Sequence, residues 1–413
     1  MTTASPSSTT PRFDTRVAWP MLLALICGFA LSQAFRTLPA IVAPALQHDF
    51  GLTPAQLGLF ASTFHFAFAG LQLVAGVSMD LWGPRRTVLM VSPLMVGGAL
   101  LVAWAPSFGV LLFGQVVLGI GCAPAFNACN VLIAQRFPPE RFAAMSGITL
   151  GIGSIGLLVT GTPLAWVIEA SSWRVAFVLL AAASALAWAG IWTVVRELPV
   201  SDAAARPGFG QALRGYGELL RLPQTWGIVA LSAVTYSSFM ALRGLWLGPM
   251  LAERHGFNLV AVGNVALVLS LMAVVGPPVF GRMDPGQRTR RYWLTGFTLV
   301  LAGMFALMAV TRHAWIDVGM SIAVSLLLGY SVLQYADVRN AYPERLIGRA
   351  LALYTMAMFM GVALVQWFTG IVAGAAPALG LEAYAAVLGA VAALLVAGAA
   401  VFWWTPWPPQ APE

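Results

Sequence analysis

Two arginines stand inside long apolar runs. Arg36 lies in ALSQAFRTLPAIVAP, residues 30–44, and Arg243 lies in WGIVALSAVTYSSFMALRGLW; neither stretch contains an acid. A guanidinium is permanently charged and presents a planar fork of donors that suits bidentate recognition of a carboxylate or phosphate. At bilayer depth such a charge costs about 2.5–3.5 kcal/mol on insertion scales, so it faces a wet cavity or a partner. With no acid at the same depth, the demand points to an anion from outside the chain. The competing reading is that each arginine snorkels to the outer interface. Matched placement argues against it, because Trp19 precedes Arg36 by seventeen residues and Trp226 precedes Arg243 by the same interval.

Helical spacing selects the neighbours. Phe29, Ser32 and Gln33 share the face of Arg36, and Tyr236 lies seven residues before Arg243 on one stripe. His65 shares a stripe with Gln72, while Asn127, Asn130, Tyr330, Gln334 and Tyr354 complete a polar lining. The candidate substrate contacts are Arg36, Arg243, Gln33, His65, Asn127, Tyr236, Gln334 and Tyr354. His65 titrates near neutrality and is either a coupling-proton carrier or a neutral imidazole bonded within the bundle. Trp246, Trp367 and Phe359 read as packing or lipid-facing residues. Cys27, Cys122 and Cys129 lack paired spacing and read as small core residues, so neither a disulfide nor a metal is expected, and no cofactor.

The elements that must position these residues are membrane spans. Of 413 residues 59% are hydrophobic and 9% charged, against roughly 25% charged in a soluble domain. Apolar runs give twelve spans, near 19–44, 54–79, 87–105, 108–135, 143–168, 173–195, 225–251, 259–281, 292–311, 315–336, 348–374 and 381–404. The domains expected are a disordered cytoplasmic tail at 1–18, a six-helix bundle at 19–195, a linker at 196–224, a second bundle at 225–404 and a tail at 405–413. The net charge of +7 has no soluble basic domain in which to gather, so nucleic acid is not an expected partner. Nearly all arginines fall on the side of the N-terminal tail, with Arg174, Arg254 and Arg312 opposite. The positive-inside rule then places both termini and the linker in the cytoplasm, and a first stretch that does not read as a targeting peptide points to a prokaryotic inner membrane.

The halves repeat one another. SMDLWGPRRT is echoed by RMDPGQRTRR, and FPPERFAAMSG by AYPERLIGRAL, so that Asp80 and Asp284, and likewise Pro139 and Pro343, are 204 residues apart. The loop Gly76-Val-Ser-Met-Asp80-Leu-Trp-Gly83-Pro-Arg85-Arg86 resembles the GxxxDRxGRR signature of the major facilitator superfamily, departing from it at Leu81 and Pro84. The resemblance spans essentially the whole chain. It implies an all-α integral membrane fold of twelve helices in two pseudo-symmetric six-helix bundles. It also implies a gate in which Asp80 meets the start of span eleven near Gly348 and Asp284 the start of span five near Phe142. Gly83, Arg85 and Arg86, with Glu140, Arg141, Glu344 and Arg345, extend that gate, unless these charges merely solvate loops. Trp173-Arg174-Val-Ala-Phe177 resembles a further feature of such proteins.

Departures from the pattern shape the mechanism. Gln115 stands where many proton-coupled members carry arginine, and no Asp or Glu lies near the middle of any span. The expected function is secondary active or facilitative transport of a small organic anion, carboxylate or phosphate-bearing, by rocker-switch alternating access in a monomer. Exchange or facilitated diffusion ranks above proton symport, and a counter-anion or coupling proton is the expected co-partner. Two alternatives stay open: a proton-linked exporter of drugs or metabolites, for which Gly161-Thr-Pro163 only approximates the antiporter signature, and a non-transporting sensor of the same fold. No HExxH or GxSxG marks an enzyme.

Overall fold

Apolar runs of this length become helices because hydrocarbon offers no partner for free backbone groups. The computed structural model describes residues 15–138, 141–196 and 217–406. Twelve rods follow one another: α1 Thr15–Phe50, α2 Pro54–Trp82, α3 Pro84–Ala103, α4 Phe108–Arg136, α5 in three pieces (Phe142–Gly153, Ile155–Val159 and Thr162–Ala170), and α6 Trp173–Val194. The second set is α7 Pro223–Arg254, α8 Leu259–Arg282, α9 Gln287–Thr311, α10 Ala314–Ala341, α11 Glu344–Ala375 and α12 Ala383–Trp404. Eleven helical stretches among the described residues are long and apolar enough to cross a membrane. α1 begins at Thr15, inside the stretch read as tail. The middle of the expected linker, the end of the C-terminal tail, and Pro139 and Glu140 lie outside the described residues.

The end of the bundle where α1 starts is here the tail side, and the other the far side. Far-side turns are short, and four of the six are capped by side chains. Thr53 and Gln56 form a reciprocal capping box at α2, and Ser172, Asn258 and Glu382 accept backbone N–H groups at the starts of α6, α8 and α12. On the tail side Gly83 after α2 and Gly286 before α9 both take φ of 82°, a conformation open to glycine at no Cβ cost. The echo between the two loops is thus one turn geometry used twice.

Exposed tryptophans girdle both ends. Trp104, Trp166 and Trp315 lie on the far side, with Trp82, Trp192, Trp226 and Trp404 on the tail side, as amphipathic rings do at membrane–water boundaries.

Each half is stapled at its far side. In the first, Asp49 at the end of α1 accepts from Trp173 Nε1 at 2.8 Å and Arg174 Nη1 at 2.9 Å. In the second, Glu253 accepts from the Tyr384 hydroxyl at 2.5 Å, Arg254 bonds Asp317 at 2.8 Å and Glu382 at 3.0 Å, and His255 reaches Asp317 at 2.7 Å. Asp49 and Glu253 each lie near the far-side end of the first helix of their half. Tail-side clasps match as well: Arg85 donates to the carbonyls of Val195 at 2.5 Å and Trp192 at 3.1 Å, and Arg291 donates to those of Phe402 and Trp403. Each guanidinium satisfies carbonyls left bare at a helix C-terminus.

The halves meet along three seams, α2 with α11, α5 with α8, and α1 with α7. Contact is backbone-close toward the far side. A Cβ at Gly58 would lie 2.7 Å from the Gln366 carbonyl and from Gly370 Cα, and one at Gly248 would lie 1.8 Å from the Ala40 carbonyl. The hydrogen bonds seen between halves join α5 to α7 and α8, at mid-depth or beyond it toward the far side.

Candidate functional site

Arg36 occupies an aromatic slot at the meeting of the two halves. Its guanidinium carbon lies 4.4 Å from the Phe68 ring centroid on α2 and 4.7 Å from that of Phe359 on α11. The rings themselves pack edge to face at 4.6 Å. Along its own helix Nη1 donates to Gln33 Oε1 at 2.7 Å and Nη2 to Ser32 Oγ at 3.1 Å, while Nε has no partner. Tyr236 of α7 and Tyr335 of α10 neighbour the same charge. Arg36 is 4% exposed, and no carboxylate pairs with it among the described residues.

Magnitudes show what this environment does. A desolvated cation–π contact contributes about 2 kcal/mol or more and a net hydrogen bond about 0.5–1.5, together comparable to the insertion cost of the charge. The slot therefore tolerates the guanidinium without neutralising it. An anion entering between the halves would find that charge preorganised, with its Nε–H free to donate.

Arg243 sits in the first of two π-helical stretches in α7, Leu242–Trp246 and Met250–Arg254. Such turns recur at functional positions in helices. Its guanidinium is fully buried in a cradle of oxygens from the opposite half and from α8. Nε donates to the Ala266 carbonyl and Ser270 Oγ, both at 3.2 Å; Nη2 donates to the Leu157 carbonyl at 3.1 Å, the Thr160 carbonyl at 3.4 Å and Thr160 Oγ1 at 3.2 Å. Thr160 Oγ1 lies 2.6 Å from Thr37 Oγ1, which ties the cradle to α1 one residue past Arg36. Those acceptors are available because α5 breaks between Val159 and Thr162. The matched arginines thus stand in different surroundings, one slotted between rings and one tethered across a seam, with no shared partner among the bonds described.

The other candidates fall into separate places. Gln33 and Tyr236 join Arg36, and His65 neighbours it as well, buried with Nδ1 3.2 Å from the Ala61 carbonyl. Asn127 donates to Gln72 at 3.1 Å within the first half. Tyr354 donates to Gln334 at 2.9 Å and Gln334 to Thr235 at 3.0 Å, beside a small cavity of the second half that Asp337 also lines. Phe359, read as packing, is a wall of the slot. Trp246 donates to Thr369 at 2.9 Å, and Trp367 is 44% exposed, as a lipid-facing ring is. Phe68, Tyr335, Gln366 and Thr160 escaped the sequence reading, because their relevance lies in contacts between helices that periodicity along one helix does not encode.

At the expected gate, Asp284 is held by its own loop. It accepts from Arg290 Nε at 3.0 Å and Nη2 at 2.6 Å, and from Gly286 N–H at 3.1 Å, rather than reaching the start of α5. A guanidinium six residues away wins over a helix start in the other half. Arg85 serves the end of α6 in its own half, Arg86 is exposed, and Arg141 sits at the start of α5. Glu140 and the side chains of Asp80, Glu344 and Arg345 lie outside what is described.

The family profile described as Major Facilitator Superfamily matches residues 25–366. A hexuronate transporter of Bacillus subtilis is 27% identical over 268 residues, 62% of this chain and 62% of that protein; the matched stretch thus spans less than two thirds of that relative's length. An efflux pump of Mycolicibacterium smegmatis is 28% identical over 430 aligned residues, covering 95% of this chain and 93% of the pump. Among solved structures, a bacterial homologue of the human lysosomal transporter Spinster, in an inward-facing and occupied conformation, superposes with a TM-score of 0.75 at 18% identity, covering 95% of this chain and 97% of that one.

Proposed function

The chain belongs to the Major Facilitator Superfamily, and on that premise we propose that it carries a small organic anion bearing a carboxylate or phosphate across a membrane by alternating access. The observation that carries the reading is Arg36, a buried guanidinium between rings of opposite halves, with no acid paired to it among the described residues and its Nε–H without a partner. Anion recognition by the relative that transports hexuronates supports the same class, and hexuronates are the first compounds to try. Gln33 and Tyr236 would orient the anion on Arg36, and Asn127, Gln334 and Tyr354 would line its path. Arg243 would report closure on the far side. Arg85, Arg86, Arg141, Glu140, Glu344, Arg345, Asp80 and Asp284 would govern the tail side, which the arginine bias assigns to the cytoplasm of an inner membrane. The protein would act as a monomer.

The test is thermal stability of the detergent-purified protein with galacturonate, glucuronate, dicarboxylates and phosphate esters. At a hundredfold excess over Kd a bound anion stabilises the folded state by about 2.7 kcal/mol. One anion class should raise the melting temperature of the wild type and leave Arg36→Ala unmoved; a shift that survives Arg36→Ala refutes the assignment. A second reading, an exporter working through the same cavity, is favoured by the near full-length match to an efflux pump. A resistance screen showing efflux of cationic or neutral drugs, with no anion shift, would install it.

A further inference from the structure

Beside Arg36, two buried polar atoms lack partners, and they belong to opposite halves. His65 on α2 is 1% exposed, and its Nδ1 lies 3.2 Å from the Ala61 carbonyl. A carbonyl only accepts, so Nδ1 carries a hydrogen, and in the neutral ring Nε2 is a bare acceptor. That Nε2 has no partner. Opposite it is Gln366 of α11. The amide nitrogen of Gln366 donates to the Met240 carbonyl at 3.1 Å, which fixes the amide's orientation and leaves Oε1 also without a partner. Beside the pair the backbones of α2 and α11 touch at Gly58 and Gly370.

Two acceptors facing one another are an unmade hydrogen bond that lacks only a proton. We propose that His65 is a coupling-proton site: one proton taken from water onto Nε2 lets the ring donate to Gln366 Oε1 across the two halves. It leaves again to water when the halves part. The charge facing His65 is Arg36 on α1; α11 brings Gln366 and α2 itself Phe64, while Tyr236 of α7, Tyr335 of α10 and Cys122 of α4 stand around Arg36 and none is an acid. Arg36 therefore repels a second positive charge until an anion neutralises it. Anion and proton then favour each other's binding, and linkage makes the effect reciprocal. This coupling rests on the anion reading above. It would move carboxylate and proton together, against the ranking of exchange over symport that absent mid-span carboxylates suggest.

The experiment uses the full chain in proteoliposomes, radiolabelled galacturonate and glucuronate as probes, and a pH dye trapped inside. Wild type should acidify the lumen on taking up hexuronate, faster as external pH falls. His65→Gln should carry at least tenfold fewer protons per hexuronate. Gln366→Leu should move the pH midpoint of uptake down and Gln366→Glu up, opposite shifts that packing damage does not produce. An unchanged proton ratio in His65→Gln, or Gln366 variants that shift together or not at all, overturns the proposal. Hexuronate counterflow in wild type without proton flux overturns the coupling and leaves the anion reading standing. Absence of counterflow for every organic anion tried removes both.

Discussion

At the scale of single residues, Arg36 and Arg243 have the same chemistry and opposite energetics. Arg243 donates to five oxygens from α5 and α8. Removing it leaves buried acceptors unmet, and hydrogen bonds to a charged group are each worth about 1.5–3 kcal/mol. Arg36 instead holds a desolvated charge whose favourable contacts roughly balance its cost. We expect Arg243→Ala to lower ligand-free stability by at least about 1.5–3 kcal/mol, and Arg36→Ala to lower it by less, since only Ser32 and Gln33 lose a donor and the cost of burying the charge is relieved. Thermal denaturation of both variants in one detergent checks this, and equal losses would contradict the assignment of the two arginines to different jobs.

At the scale of elements, the turns that close each repeat set local charge states. The Arg290 guanidinium, and then the Gly286 N–H, hold the Asp284 carboxyl below the usual carboxylate range. A depressed carboxyl contributes stability that is fully present above its unfolded pKa and is lost as pH falls through the folded one. The loop between α8 and α9 should therefore loosen only in acid, below about pH 4, and Asp284→Asn should flatten that part of the stability–pH curve while leaving neutral behaviour alone. A curve of unchanged slope in Asp284→Asn would mean that other carboxylates carry the acid sensitivity. The break in α5 and the π turns of α7 make a related point. Irregular helix at mid-depth exposes carbonyls, and here they are taken by a side chain from the facing half.

At the scale of the whole molecule, two halves, each stapled by its own far-side network, meet through glycine-to-backbone contacts there. Close approach of this kind is what small residues provide in membrane bundles. Gly248 leaves no room for a side chain against Ala40, so Gly248→Val should wedge α7 from α1 and shift the population toward a far-side-open state. The readout is Thr162→Cys in a background without Cys27, Cys122 and Cys129, because Thr162 bonds Asn264 across the seam at 2.6 Å. A membrane-impermeant maleimide should label it several-fold faster when Gly248→Val is added. An unchanged rate would show that the far-side seam does not open as a unit.

Much of this was legible in the chain itself. Hydropathy alone specifies twelve spans, because a bilayer demands length and apolarity of every crossing. The repeat at a fixed offset located both tail-side turns, and helical spacing put Ser32 and Gln33 on Arg36, since one helix carries all three. Other facts were settled by packing between helices: the rings of Phe68 and Phe359 around Arg36, the oxygen cradle of Arg243, the turn of Asp284 into its own loop, and the facing of His65 by Gln366. Periodicity tells which residues share a face of one helix. Only the crossing of two halves tells which faces meet, and therefore which of two symmetric arginines is held by protein oxygens and which lies between rings of opposite halves.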